Sequence, residues 1–201
     1  MLMTGSEVRA AIATLGALAA CAAFAQAPQA TRLVGKIEKV NGTTLLVRTA
    51  AAEREISVLP ETTLFAVVKA ALADVKPNAY IGVGATPQAD GSQKAIRVMI
   101  FAEPMRGVGE GHRPWDRPGT TMTNATVDST VAAVEGQVVT VRYKGGDKKI
   151  VIGPEASIMA YVPGERGDLK PGASVAVTAV SKGAALEATR INVGRGDVVP
   201  N

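Results

Sequence analysis

The chain of 201 residues holds one cysteine (Cys21), one histidine (His112) and one tryptophan (Trp115). Ser–His–Asp and Cys–His catalysis both need a base beside the nucleophile, so this scarcity nearly excludes them. No HExxH, CxxC, Walker or dinucleotide fingerprint is present. The stretch Gly107-Val108-Gly109-Glu110-Gly111-His112 looks like a glycine-rich loop, but it follows no strand–helix–strand unit. The expectation is a non-enzyme without a cofactor. Aromatic residues make up 3% of the chain, so any core must be built from Val, Ile, Leu and Ala. Single-strand binders stack bases on aromatic side chains, and the positive residues behind the net charge of +4 form no run. No nucleic-acid partner is therefore expected.

What the chain does contain begins with an export signal over residues 1–25. Arg9 precedes the apolar run Ala10–Ala20, which is too short for a permanent membrane span, and Ala23-Phe24-Ala25 offers an A-x-A cleavage site before Gln26. Leu18-Ala19-Ala20-Cys21 resembles the lipobox of bacterial lipoproteins, so lipidation at Cys21 is the alternative. The mature chain is expected to be periplasmic or secreted, or else lipid-anchored in the envelope. Either outcome leaves no thiol pair for a disulfide. The membrane would be touched only through the leader or that lipid anchor.

Beyond the leader the chain repeats itself. Val40-Asn41-Gly42 returns 94 residues later as Val134-Glu135-Gly136, Val47-Arg48 as Val141-Arg142, and Pro60-Glu61 as Pro154-Glu155. Asp74-Val75-Lys76-Pro77-Asn78 returns as Asp168-Leu169-Lys170-Pro171-Gly172, and Ala95-Ile96-Arg97-Val98 returns as Ala188-Thr189-Arg190-Ile191 at an offset of 93. Two copies of one unit follow. In the first copy Leu33, Gly35, Ile37 and Lys39 alternate with Val34, Lys36, Glu38 and Val40, the period of a half-buried strand, and Asn41-Gly42 suits a two-residue hairpin. Strands over Thr44–Arg48 and Arg54–Val58 come next. Leu64–Ala73 reads as a short helix or irregular crossover. A turn at Lys76-Pro77-Asn78, with Asn or Gly in the left-handed conformation, leads to strands at Tyr80–Ala85 and Lys94–Phe101.

This order predicts a mostly β chain of two tandem five-stranded OB-like barrels, each with a short helix or crossover after its third strand. SH3-like or open β-sandwich units are the alternative. The domains expected are residues 31–102, an inter-repeat segment 103–126, a second repeat 127–195 and a tail 196–201. The scheme G-x-I-x-x-V-x-G, L-x-V, P-x-T, D-x-K-x-G, V-x-V is carried by Gly35, Ile37, Val40, Gly42, Leu45, Val47, Pro60, Thr62, Asp74, Lys76 and Val83. It resembles an uncharacterised exported bacterial domain family of unknown function. In the second copy Ser129 stands for the early Gly, Val131 for Ile37 and Ala156 for Thr62. The resemblance implies an exported tandem OB-like protein and transfers no catalytic residue.

Charged positions shared by both copies are Arg48/Arg142, Glu61/Glu155, Asp74/Asp168, Lys76/Lys170 and Arg97/Arg190. Turn chemistry and cross-strand pairing account for such residues, and one ligand site per barrel is the competing use. The inter-repeat segment has no copy and holds both His112 and Trp115. A tryptophan is costly to leave exposed in a linker, so this loop is expected to pack against one or both barrels. His112, Arg113, Trp115 and Arg117 are the candidate ligand or partner contact; Glu110, His112 and Asp116 are a weaker candidate metal site for zinc or copper. The function expected is a cell-envelope ligand- or partner-binding module, with a structural or stress-related scaffold, or a metal-handling accessory, as alternatives. For the leader, intact mass should show a mature chain starting at Gln26 in a soluble fraction. A membrane-bound form whose mass and location revert in Cys21→Ser would establish lipidation instead.

Overall fold

A computed structural model describes residues 30–134, 136–183 and 185–200; the leader, Cys21 and Gln26 lie outside the described residues. Twelve strands are present among them: β1 Ala30–Asn41, β2 Thr44–Thr49, β3 Glu53–Lys69, β4 Tyr80–Pro87, β5 Gln93–Ile100, β6 Gly111–Pro114, β7 Thr121–Ala132, β8 Gln137–Tyr143, β9 Gly146–Ile152, β10 Ser157–Pro163, β11 Ser174–Lys182 and β12 Ala185–Gly194. The described residues contain no α-helix, only three-residue 3-10 turns at Leu72–Asp74, Glu103–Met105 and Arg166–Asp168. The chain is mostly β, as expected. The helix expected within Leu64–Ala73 is replaced by strand as far as Lys69, because Phe65, Val67 and Val68 favour extended backbone and are hydrogen-bonded into the sheet.

The strands do not sort by repeat. β1, β2 and β3 from the first copy close a five-strand barrel with β11 and β12 from the second, through antiparallel β1–β11 and parallel β3–β12. The second copy's β7, β8, β9 and β10 pair in the same pattern with the first copy's β4 and β5. One barrel per repeat is therefore corrected to two rings that exchange their last two strands. Strand length supplies the reason. From Thr63 to Lys69 an extended chain advances about 20 Å, which carries the chain out of the first ring and delivers β4 to the other. β10 does the same for β11.

Where the two carrying strands meet, β3 and β10 pair antiparallel around Val67↔Tyr161. Exchanging each residue for its counterpart 94 positions away turns Phe65↔Pro163 into Met159↔Lys69, so the pairing maps onto itself. The junction is an isologous contact inside one chain. Val67, Met99, Met159 and Val198 pack there, so the tail is anchored through Val198, which is 5% exposed. Each ring core mixes the copies: Ile37, Val47 and Val58 lie with Val175, Val177 and Ile191, and Val83 and Val98 with Val127, Val141 and Ile150.

Register also moves a repeat boundary. Ile37 faces Val47, and Val127 faces Val141, so Val127 and Ala125 occupy the places assigned to Val131 and Ser129. Val131 and Val134 are exposed, since the second hairpin loop is longer than the first. The second repeat's first strand accordingly starts at Thr121, inside the segment 103–126 placed between the repeats. In the first hairpin the loop is Gly42-Thr43, with only Gly42 of the two at positive φ. The turn residues Asn78 and Gly172 do adopt left-handed φ, 68° and 87°.

The third strand differs between copies for a local reason. Thr62 Oγ1 accepts from the Leu59 N–H at 2.9 Å and donates to the buried Ala188 carbonyl at 2.8 Å, bridging the bulge beside Pro60. Its counterpart Ala156 has no hydroxyl, and there the ladder breaks into β9 and β10. An inserted protease site between Arg117 and Gly119 tests the exchange. The two fragments are expected to co-migrate after cleavage under native conditions and to separate only in denaturant; barrels confined to one repeat each would separate at once.

Candidate functional site

Outward-facing residues of the two rings converge beside the junction on a cleft of about 540 Å³. Period-2 alternation puts them there. Along β12, Ile191 and Val193 enter a core while Arg190 and Asn192 face the cleft; along β5, Val98 points in and Arg97 and Met99 point out. Structurally equivalent positions of the two rings line it: Arg97 with Arg190, Met99 with Asn192, Gly84 with Thr178, Met122 with Arg32.

Arginine is kept at the first of these pairs, and the other three carry unlike chemistry. The side from β4, β5 and β7 brings Gly82, Gly84, Met99 and Met122 together with the polar Arg97 and Asn124, and Phe101, just past β5, and Trp115 join it. The side from β1, β11 and β12 is mainly polar, with Arg32, Thr178, Arg190 and Asn192 beside the apolar Val34. Gly84 lets the Trp115 ring lie against β4, because a Cβ there would collide with that ring. Tyr161, from the junction, closes the floor against Phe101 and Phe65. Burial raises its phenol above the ordinary range, against the pull of Arg32, Arg190 and Arg97, so it stays protonated and able to donate.

Two buried polar atoms of residues that line this cleft have no hydrogen-bond partner, Nη1 of Arg97 and Oδ1 of Asn192. Asn192 is 8% exposed. Buried polar groups are almost always paired, and each unmet one costs about 1–3 kcal/mol. Among the described residues no carboxylate forms an ion pair with Arg32, Arg97, Arg113 or Arg190. Asp116 lines the rim as the cleft's acid.

The candidates named from the inter-repeat segment divide. That segment is an ordered cover: Arg106 holds Glu103 through two contacts and donates to the Asn78 carbonyl, and Tyr80 Oη and Asn124 Nδ2 both donate to the Val108 carbonyl. Strand β6 extends the sheet beside β7. Arg113 and Trp115 line the cleft, and Trp115 is largely buried with Arg117 over its ring at 5.8 Å. Arg113 donates to the Gly109 carbonyl rather than to an acid. His112 points the other way, as alternation requires, sharing a 2.8 Å hydrogen bond with Thr123 Oγ1 and stacking on Tyr143. Glu110 accepts from the Lys144 N–H. Glu110 and His112 thus lie toward Tyr143-Lys144 while Asp116 lines the cleft, and no group of three His, Cys, Asp or Glu fit to hold a metal occurs among the described residues.

The repeated charges also separate. Arg48 pairs with Glu38 and Glu53, and Arg142 with Asp128, on exposed faces. Asp74 and Asp168 cap their 3-10 turns by accepting from Ala71 and Glu165 N–H groups. Arg97 and Arg190 alone among these pairs reach the cleft. No family model, no curated protein and no solved structure matches the chain.

His112 supplies a pH test of this packing. Burial first, then the charge of Lys148, holds its imidazole below the ordinary 6.5. The unfolded chain therefore takes up a proton before the folded one as pH falls, and stability present above 6.5 is lost through that point toward the depressed folded value. Melting temperature should fall more steeply between pH 7 and pH 5 in the wild type than in His112→Gln; equal slopes would show His112 to be solvated.

Proposed function

We propose that the protein is an exported, non-enzymatic cell-envelope module whose interlocked OB-like rings share one binding cleft for an anionic ligand. The observation that carries this reading is the unpartnered buried Nη1 of Arg97, on one of four arginines that line the cleft and pair with no carboxylate among the described residues. A bound oxyanion would accept from guanidinium groups that no protein carboxylate occupies, and charge-assisted bonds of that kind are the strong ones. The OB-like reading draws support from strand order. In each ring the first, second, third, fifth and fourth strands of a unit are neighbours in turn, which fits a five-stranded Greek-key barrel. Export rests on the leader sequence, and the non-enzymatic reading on the scarcity of histidine and cysteine.

A ligand-free envelope scaffold is the second reading. It is favoured by the aromatic chain Phe65–Tyr161–Phe101–Tyr80, which gives the junction a packing role that needs no ligand. Emission of the sole tryptophan, Trp115, separates the two. Inorganic tripolyphosphate is expected to change it saturably, with affinity reduced at least about ten-fold, or about 1.4 kcal/mol, in Arg97→Ala/Arg190→Ala. Arg48→Ala/Arg142→Ala, which removes the same charge from surface ion pairs, should bind as the wild type does. No saturable response, or equal loss in both variants, would favour the scaffold.

A further inference from the structure

Resting on the anion-binding reading, we infer that the cleft takes an acidic sugar: a pyranose-sized polyol carrying a carboxylate or phosphate. Three features of the cleft require this combination. The unpartnered Arg97 Nη1 needs an acceptor, and Arg190 faces the same space from the other ring, so one end of the ligand is an oxyanion. The unpartnered Asn192 Oδ1 is an acceptor and needs a donor, which a simple carboxylate or phosphate dianion cannot supply but a hydroxyl can. A carboxamide offers that acceptor beside its own N–H donors, the arrangement that neighbouring sugar hydroxyls satisfy together.

The third feature is the division between the walls. Met122 and Trp115 bring apolar surface to the cleft from one side, while Thr178 and Asn192 come to it from the other ring. A pyranose is itself two-sided, with C–H groups on its faces and hydroxyls at its edge, so it fits such a cleft in one orientation. A wholly polar anion would leave the apolar surface of Met122 and Trp115 uncovered, and a neutral sugar would leave the guanidinium groups unmet. The volume of about 540 Å³ lies within the usual range for small-molecule sites and accommodates one or two sugar units. A carboxylate and a phosphate would make the same contacts with arginine, so the probes include both.

The test titrates the full chain, through Trp115 emission, with D-glucuronate and glucose 6-phosphate, and with D-glucose, acetate and inorganic phosphate as their halves. At least one acidic sugar is expected to bind about ten-fold or more tightly than glucose and than its matching simple anion. Glucuronate ahead of glucose 6-phosphate would identify a carboxylate ligand, and the reverse order a phosphate ester. Asn192→Ala should abolish the advantage over the simple anion while leaving simple-anion binding intact; Arg97→Ala should weaken both. Should Asn192→Ala lower the melting temperature, Thr178→Val offers a second change on the same wall, expected to reduce sugar affinity without reducing that of phosphate.

Acidic sugars bound no more tightly than acetate or phosphate, in a protein whose cleft still binds tripolyphosphate through Arg97 and Arg190, would overturn the sugar inference and leave the anion reading standing. Loss of tripolyphosphate binding as well would overturn both. Tighter binding of a single-stranded oligonucleotide than of either acidic sugar would also overturn the inference, since base stacking and backbone charge would then explain the cleft.

Discussion

Antiparallel pairing of β3 with β10 around Val67 and Tyr161 is the constraint on which the molecule depends. Two strands that would each end a ring's third position run on instead, meet, and hand their chains to opposite rings. Neither ring is complete without strands from the other copy, since removing β11 and β12 would expose two ladder edges and open the first core. Duplication is therefore structural in a stronger sense than tandem repetition. The second copy supplies the walls that the first lacks.

The same pairing creates the cleft. In an isolated barrel the outward residues of β5 and β12 would face water, and an arginine there would serve solubility or a cross-strand pair. Interlocking turns these faces toward one another and half-buries Arg97 and Arg190, which keep no carboxylate partner among the described residues. Aromatics, scarce in the chain, concentrate here: Phe65, Tyr80, Phe101 and Tyr161 form a contact chain across the junction, and Trp115 lies on Gly84. The ring interiors are aliphatic. Divergence between the copies then makes a symmetric scaffold into an asymmetric site. Met99 against Asn192, Gly84 against Thr178 and Met122 against Arg32 make one side richer in apolar groups, while Arg97 and Arg190 stay alike.

Much of the local structure was legible in the sequence. Alternation located the strands, and Asn78 and Gly172 adopt the left-handed φ that their turn requires. Trp115 packs, as its composition in a Pro/Gly-rich segment suggested. The ring partners were not legible, because periodicity reports which face of a strand is buried and not which strand lies beside it. Leu64–Lys69 was the point of failure: read as a helix or crossover it lets the chain fold back, whereas as strand it forbids this. Arg97 and Arg190 were visible as a repeated pair, yet indistinguishable from Arg48 and Arg142 until the two outer faces were known to meet. The offset of 94 also misled at β7, where a longer hairpin loop displaces Val127 from its apparent counterpart.

A cross-strand disulfide tests the exchange most directly. Lys36 on β1 faces Ser174 on β11, whereas a barrel confined to one repeat would set Lys36 beside Tyr80, the counterpart of Ser174. Directly opposed residues in antiparallel strands lie within the Cα separation of about 4.4–6.8 Å that a disulfide spans. In a chain lacking Cys21, Lys36→Cys/Ser174→Cys should form an intramolecular bond in the monomer, detected by peptide mapping. Failure of that pair to oxidise, with Lys36→Cys/Tyr80→Cys forming the bond instead, would contradict the interlocked fold and with it the cleft.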